Sequence, residues 1–309
     1  MRSPVRLLVA TLVLAVAVLV PTAAAAVRPA APSVSPPSPV PCTGSPCWHP
    51  ALSAHWQYQL QAVTGFASTG GINVGISAVP YTGGSAVHPD VFDIDLYVDQ
   101  SVSGNNTTLN GAAVSAIHAL GAKAICYVDA GTWENWRADA GAFPSSVLGR
   151  NNGWPGEKWL DIRQTSILLP IMQARVQKCV QAGFDGVEWD NVDGYSNNTN
   201  FPLTAADQIA YDASLANLAH QVGLTVALKN DVGQLSGLAS YFDYAVNEQC
   251  QQYNECTGYT SNFINAGKAV FQVEYKLATS KFCTKANTAN RNAIKKSLDL
   301  FDTPWTPCR

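Results

Sequence analysis

The chain has 309 residues, 47% of them hydrophobic, enough for a sizeable core and too many for disorder to be its main state. Charged residues make up 13%, and 19 Lys and Arg against 22 Asp and Glu leave a net charge of -3, so the expected partners do not include nucleic acid. Eight cysteines and eight tryptophans beside only two methionines suit an oxidising, extracellular setting.

Arg2 and Arg6 precede an apolar run from Leu7 to Val20, and the small residues Thr22 to Ala26 then offer an Ala-x-Ala cleavage site. Residues 1–26 are therefore expected to be a secretory signal peptide, and the product to be secreted. The run is shorter than the roughly 20 residues of a membrane-spanning helix, and no comparable stretch follows, so no stable membrane insertion is expected. Residues 27–50 are rich in proline and poor in apolar side chains, and read as a linker or tail. The cysteines lie at 42, 47, 126, 179, 250, 256, 283 and 308. Cys42 with Cys47 and Cys250 with Cys256 would close small loops, and Cys283 could tie down Cys308, but other pairings stay open. No paired C-x-x-C or His-rich spacing points to zinc.

From residue 51 to 309 short apolar runs alternate with helical periodicity. Strands are expected at Trp56–Leu60, Val91–Tyr97, Lys123–Val128, Lys158–Ile162, Gly186–Trp189, Thr225–Lys229, Tyr244–Asn247 and Ala269–Val273. Helices are expected at Leu109–Leu120, Thr165–Ala182, Ala205–Val222, Val232–Tyr241 and Thr288–Phe301, with loops after Leu60 and Tyr97. Eight strands over this length match a single-domain (β/α)8 TIM barrel. A doubly wound sheet would usually carry a Gly-rich nucleotide turn, and none occurs.

In such a barrel chemistry sits at the C-terminal strand ends, and here those ends are acidic. Asp93 and Asp95 lie in FDIDLY, Asp129 in CYVDAGTWENW, Asp161 in WLDI, and Glu188, Asp190 and Asp193 in GVEWDNVDGY. Lys229, Asn230 and Asp231 end the sixth expected strand, Asn247 and Glu248 the seventh, and Glu274 and Tyr275 the eighth. Asp93 and Asp95 could equally bond turn amides, and Asp161 could pair with Arg163 as an ordinary salt bridge. Glu188 and Asp190 are two apart and so share a face of one strand, where like charges without a function would only repel. One raised and one normal carboxyl group is what acid-plus-nucleophile chemistry requires. Trp56, Trp133, Trp136 and Trp189 flank these acids and could stack on sugar rings, with core packing the simpler reading for Trp56.

WQYQLQ, DIDLY, ICYVDAGTWENWR, KWLDIR, GFDGVEWDNVDGY, ALKND and YAVNEQC together resemble glycoside hydrolase family 114, the endo-α-1,4-polygalactosaminidase type, from Trp56 to Tyr275. The resemblance implies a (β/α)8 barrel that cuts α-1,4-linked galactosaminoglycan, an amino-sugar polysaccharide, within the chain, with no metal or organic cofactor. It assigns the catalytic pair to Asp190, as nucleophile of a retaining mechanism, and Glu248, as general acid/base. Substrate contacts are then expected from Asp95, Asp129, Glu188 and Asp193, which suit free amino groups, and from Tyr127, Trp133, Asn191, Lys229, Asn230 and Glu274. Trp189 stands where the block more commonly has proline. A monomer is expected. The alternatives are a noncatalytic glycan-binding barrel and an α-glycosidase of different sugar specificity.

Overall fold

Parallel pairing of short buried strands organises the protein, in a computed structural model that describes residues 35–42 and 47–309. The expected signal peptide lies outside the described residues. Twelve strands are found among them: β1 (Trp56–Gln59), β2 (Val91–Asp95), β3 (Lys123–Asp129), β4 (Thr132–Glu134), β5 (Leu148–Asn151), β6 (Glu157–Leu160), β7 (Gly186–Asp190), β8 (Thr225–Lys229), β9 (Tyr244–Glu248), β10 (Val270–Glu274), β11 (Asn292–Lys295) and β12 (Thr306–Pro307). The main sheet runs β1-β2-β3-β7-β8-β9-β10-β11-β12. All neighbours in it are parallel except the last pair, so β1, β2, β3 and β7–β11 form the eight staves of a TIM-type barrel. The seam between β11 and β1 is bridged by side chains: the Trp56 indole donates to the Asn292 carbonyl at 2.8 Å, and the Trp305 indole to the Trp56 carbonyl at 2.9 Å.

Three expected elements are corrected. The segment Lys158–Ile162 supplies β6, which is not a stave; it pairs antiparallel with β4 and β5 in a separate three-stranded sheet inserted between β3 and the helix Thr165–Ala182. Its apolar run is real, because Trp159 and Leu160 are buried, but a run of that kind does not say which strand it will pair with. The missing stave is β11, inside the region expected to be the helix Thr288–Phe301. Its charged flanks conceal it, yet Lys296 is fully buried, its ammonium donating to Gln57 Oε1 and to the carbonyls of Phe301 and Asp302. The helix lies earlier, at Thr279–Thr288. The expected helix Val232–Tyr241 shortens to a 3-10 turn at Val232–Gln234 and four helical residues, Leu235–Leu238.

The long helices form where expected. Ala205–Gln221 begins with a capping box in which Thr204 and Asp207 satisfy each other's backbone amides, and Thr165–Ala182 ends on Gly183 in the left-handed region. Along β7, Val187 and Trp189 take one face and join the apolar core, so Trp189 is buried rather than at the rim; Glu188 and Asp190 take the other face, toward the barrel axis. At Gly131 a Cβ would sit 1.7 Å from the Asn191 carbonyl oxygen, so only glycine lets the ends of β3 and β7 approach this closely.

The described part of the proline-rich segment is docked on the barrel. Asn217 bonds Val40 N–H and the Ser38 carbonyl, Tyr241 donates to the Pro37 carbonyl, and Trp48 packs edge-on against Tyr244. Four disulfides join Cys42–Cys47, Cys126–Cys179, Cys250–Cys256 and Cys283–Cys308. Cys126–Cys179 ties β3 to the helix Thr165–Ala182 across 53 residues. Replacing both of these cysteines by alanine should destabilise the barrel by roughly 2–4 kcal/mol, read as a lower denaturant midpoint; an unchanged midpoint would mean that the bridge adds nothing.

Candidate active site

Alternation along the staves brings one residue from each of several strand ends to the barrel axis. At and beneath the base of the site lie the side chains of Tyr58 from β1, Asp93 from β2, Glu188 from β7 and Lys229 from β8, all 1% exposed or less. The Lys229 ammonium lies 2.8 Å from Glu188 Oε1, 3.0 Å from Asp190 Oδ1 and 3.5 Å from Glu248 Oε2. It also donates to the Tyr58 hydroxyl at 3.0 Å. Three carboxylates from two strands thus converge on one cation. Burial works against the ammonium, but Asp190, Glu188 and Glu248 outweigh it and hold Lys229 well above the usual lysine value, fully charged.

The two upper carboxylates face a cleft of about 570 Å³, lined among others by Tyr58, Tyr127, Lys229, Asn230 and Tyr275. Asp190 receives the Tyr127 hydroxyl at 2.6 Å and Lys229 at 3.0 Å. Burial opposes its ionisation, but the lysine charge and these two hydrogen bonds prevail and hold its carboxyl below the ordinary aspartate range. Glu248 lies on the wetter side, its side chain 26% exposed against 18% for Asp190. It accepts hydrogen bonds from the Tyr275 hydroxyl and, at 3.3 Å, from the Asn230 side chain. The Asn230 Oδ1 in turn receives the Glu248 backbone N–H at 2.9 Å. Beneath, burial first and then Glu188 push the Asp93 carboxyl well above the usual range.

The other sequence-predicted residues divide by position. Asn191, Asp193 and Asn230 line the cleft with the pair. Glu188 is fully buried under Lys229, and its role in the structure is to hold that ammonium. Asp129 is 1% exposed and taken up by Thr132, Asn191 and the Gly131 amide. Glu274 is also fully buried and accepts from Gln272 and the Gln251 amide. Asp95 lines a neighbouring cavity, locked to Arg137 by two hydrogen bonds of 2.7 Å. Trp133 is half-buried, with its indole N–H on the Ala140 carbonyl and the Lys158 ammonium over its ring. Asp129, Glu134 and Glu157 lie close enough together to suggest a cation site, but Thr132, Arg137 and Asn152 already bond them.

Sequence reasoning missed Tyr58 and Arg137, and named Tyr275 only as a strand-end residue without a role. Tyr58 was legible as an inward position of β1, and Tyr275 as the residue that follows β10. Arg137 lies beyond a strand end, so nothing in its neighbourhood announced its reach of 42 residues back to Asp95.

The protein-family model of glycoside-hydrolase family GH114 matches residues 39–309. Among solved structures, Ega3 of Aspergillus fumigatus, in a complex with galactosamine, is 32% identical with a TM-score of 0.68, the likeness covering 82% of this chain and 95% of that one. The glycoside hydrolase domain of PelA from Pseudomonas aeruginosa shares the fold at 12% identity and a TM-score of 0.56, with 82% and 97% covered. An uncharacterized protein of Deinococcus radiodurans is 29% identical over 262 residues, 76% of this chain and 77% of its own length.

Replacing Lys229 by methionine leaves Glu188 and Asp190 without their cation and should cost about 3–5 kcal/mol of stability at pH 7. Without the ammonium Asp190 rises above its unfolded value and Glu188, which burial already holds above its own, rises further, so stability is lost as pH rises, and the deficit should shrink toward about pH 4. Equilibrium unfolding at both pH values checks this; an equal deficit at both would contradict it.

Proposed function

This chain belongs to glycoside hydrolase family 114 and is a glycoside hydrolase, and on that premise we propose that it is a secreted enzyme that cuts α-1,4-linked galactosaminoglycan within the chain. The reaction retains configuration, with Asp190 as nucleophile and Glu248 as general acid/base. The observation that carries this reading is the Lys229 ammonium touching an oxygen of both carboxylates, at 3.0 and 3.5 Å. Those contacts keep the two contacting oxygens within 6.5 Å of each other, which accommodates the about 5–5.5 Å of retaining pairs and reaches only the lower edge of the roughly 6.5–9.5 Å that admits a water molecule.

The environments divide the roles. Asp190 is held ionised by Lys229 and Tyr127 and attacks the anomeric carbon as a carboxylate. Glu248, more exposed to water, gives its proton to the departing glycosidic oxygen, then takes one from the water that releases the glycosyl-enzyme ester. Lys229 and Tyr127 stay in place through both steps, so little reorganisation accompanies the change of charge. Galactosamine in the Aspergillus relative supports an amino-sugar substrate, and the abundance of acids around the cleft suits a cationic polymer. Four disulfides support an extracellular setting.

Purified protein incubated with partly deacetylated galactosaminoglycan should release short oligosaccharides, identified by mass spectrometry. Asp190→Asn and Glu248→Gln should each lower turnover on the order of 10³-fold, about 4 kcal/mol. Binding without any release of reducing ends would favour the noncatalytic alternative, and undiminished turnover in both variants would defeat the assignment. Tyr127→Phe removes a hydrogen bond that holds the Asp190 carboxyl down, so the acid limb of kcat/KM should move to higher pH by about one unit. An unmoved limb would show that the hydroxyl does not tune the nucleophile.

A further inference from the structure

A second cavity, of about 420 Å³, adjoins the cleft and shares Asp193, Asn230, Glu248 and Gln249 with it. We propose that this cavity is a subsite for the free 2-ammonium group of the sugar unit next to the one being cleaved, with Asp231 as the specificity-determining carboxylate. The proposal rests on the glycosidase reading and adds to it a chemical reason for preferring deacetylated units.

Charge distinguishes this cavity from its neighbours. The catalytic cleft contains Lys229 among its acids, and in the cavity beside Asp95 the Arg137 guanidinium pairs with both Asp95 and Glu134. The acids lining the cavity next to Glu248 are Asp193, Asp231, Glu248 and Glu255, and among the described residues no Lys, Arg or His lines it. Such an enclosure concentrates negative potential and attracts a cation.

Asp231 gives a second, independent indication. It follows β8 immediately after Lys229 and Asn230, and is held at φ 40° in the left-handed region, beside Asn230 at φ 49°. It is only 3% exposed, and its Oδ2 has no hydrogen-bond partner among the described residues. Burial and the adjacent Asp193 push its carboxyl up to about 7. Behind it Asp212 is fully buried, with Oδ2 likewise unpartnered. The Tyr195 hydroxyl is the one side-chain donor that favours the charged form of Asp231, and a buried carboxylate so sparsely served is costly to ionise unless something supplies charge and further donors; a primary ammonium brings one positive charge and three N–H groups. An N-acetylated unit brings neither the charge nor the same donors, so the site would disfavour it by leaving Asp231 without a compensating cation.

The cavity also offers a surface for the sugar ring. Tyr253 lies at its edge, 56% exposed, and the Cys250–Cys256 bridge closes the short segment that carries it and Glu255. An aromatic face beside carboxylates fits the apolar side of a pyranose.

Asp231→Asn tests the assignment, because asparagine keeps the shape and tolerates a left-handed backbone while removing the charge. Calorimetry on the Asp190→Asn enzyme, with and without Asp231→Asn, should compare a galactosamine oligomer with its fully N-acetylated counterpart. The expected result is that Asp231→Asn lowers the ratio of affinities, free amine over N-acetyl, about tenfold. An unchanged ratio, or binding of neither oligomer, would overturn the subsite. Turnover of the galactosamine oligomer by the wild-type enzyme is read separately: a ratio that depends on Asp231 without turnover would defeat the hydrolase reading and leave the subsite standing.

Discussion

A single buried ammonium governs this site. Lys229 is 1% exposed, and its charge is sustained by three carboxylates contributed by β7 and β9. Breaking such a cluster is far more costly than an exposed ion pair, because each partner loses the group that made its desolvation tolerable. The positions of Glu188, Asp190, Glu248 and Tyr58 are therefore mutually determined, and the backbone around them follows. Gly131 permits β3 and β7 to close up beneath the cleft, and the Asn230 side chain pins β9 to the end of β8 through the Glu248 amide.

That arrangement makes two chemically alike side chains unlike. Asp190 lies deeper and has both the nearer contact to Lys229 and the Tyr127 hydroxyl, so its charge is favoured; Glu248 lies closer to water, with Tyr275 and Asn230 as partners. Beyond the pair, compensation of the acids is uneven. Arg137 pairs with Asp95 and Glu134 on one side of the site, whereas around Asp231 no lining residue among those described is cationic. An asymmetry of this kind gives a cationic polymer a preferred way to lie across the rim.

Much of this was legible in the sequence, for reasons that can be named. Period-two patterning placed Glu188 and Asp190 on one face of β7, and both do contact Lys229. Seven of the eight staves were visible as apolar runs ending in polar residues, and the barrel followed from their rhythm. Pairing was not legible. β6 looks like a stave because strand character is local, whereas its antiparallel partners β4 and β5 are chosen by tertiary context. β11 was hidden for the opposite reason: its neighbour Lys296 looks like a surface residue and is buried, held by oxygens from β1 and from the segment at Phe301 and Asp302. The same limit applies to Asp95 and Glu274, whose carboxylates are engaged by Arg137 and by Gln272, partners that a strand-end count does not reveal.

The central claim is that the Lys229 charge keeps Asp190 ionised in a buried position where it would otherwise be neutral. Its most direct test is a site-resolved carboxyl carbon NMR titration of Asp190 in the wild-type protein and in a variant carrying a neutral residue at 229. Asp190 should titrate below the ordinary aspartate value of about 3.9 in the first and above it in the second. A wild-type Asp190 that titrates at or above that value, or one indifferent to the loss of the lysine, would contradict it.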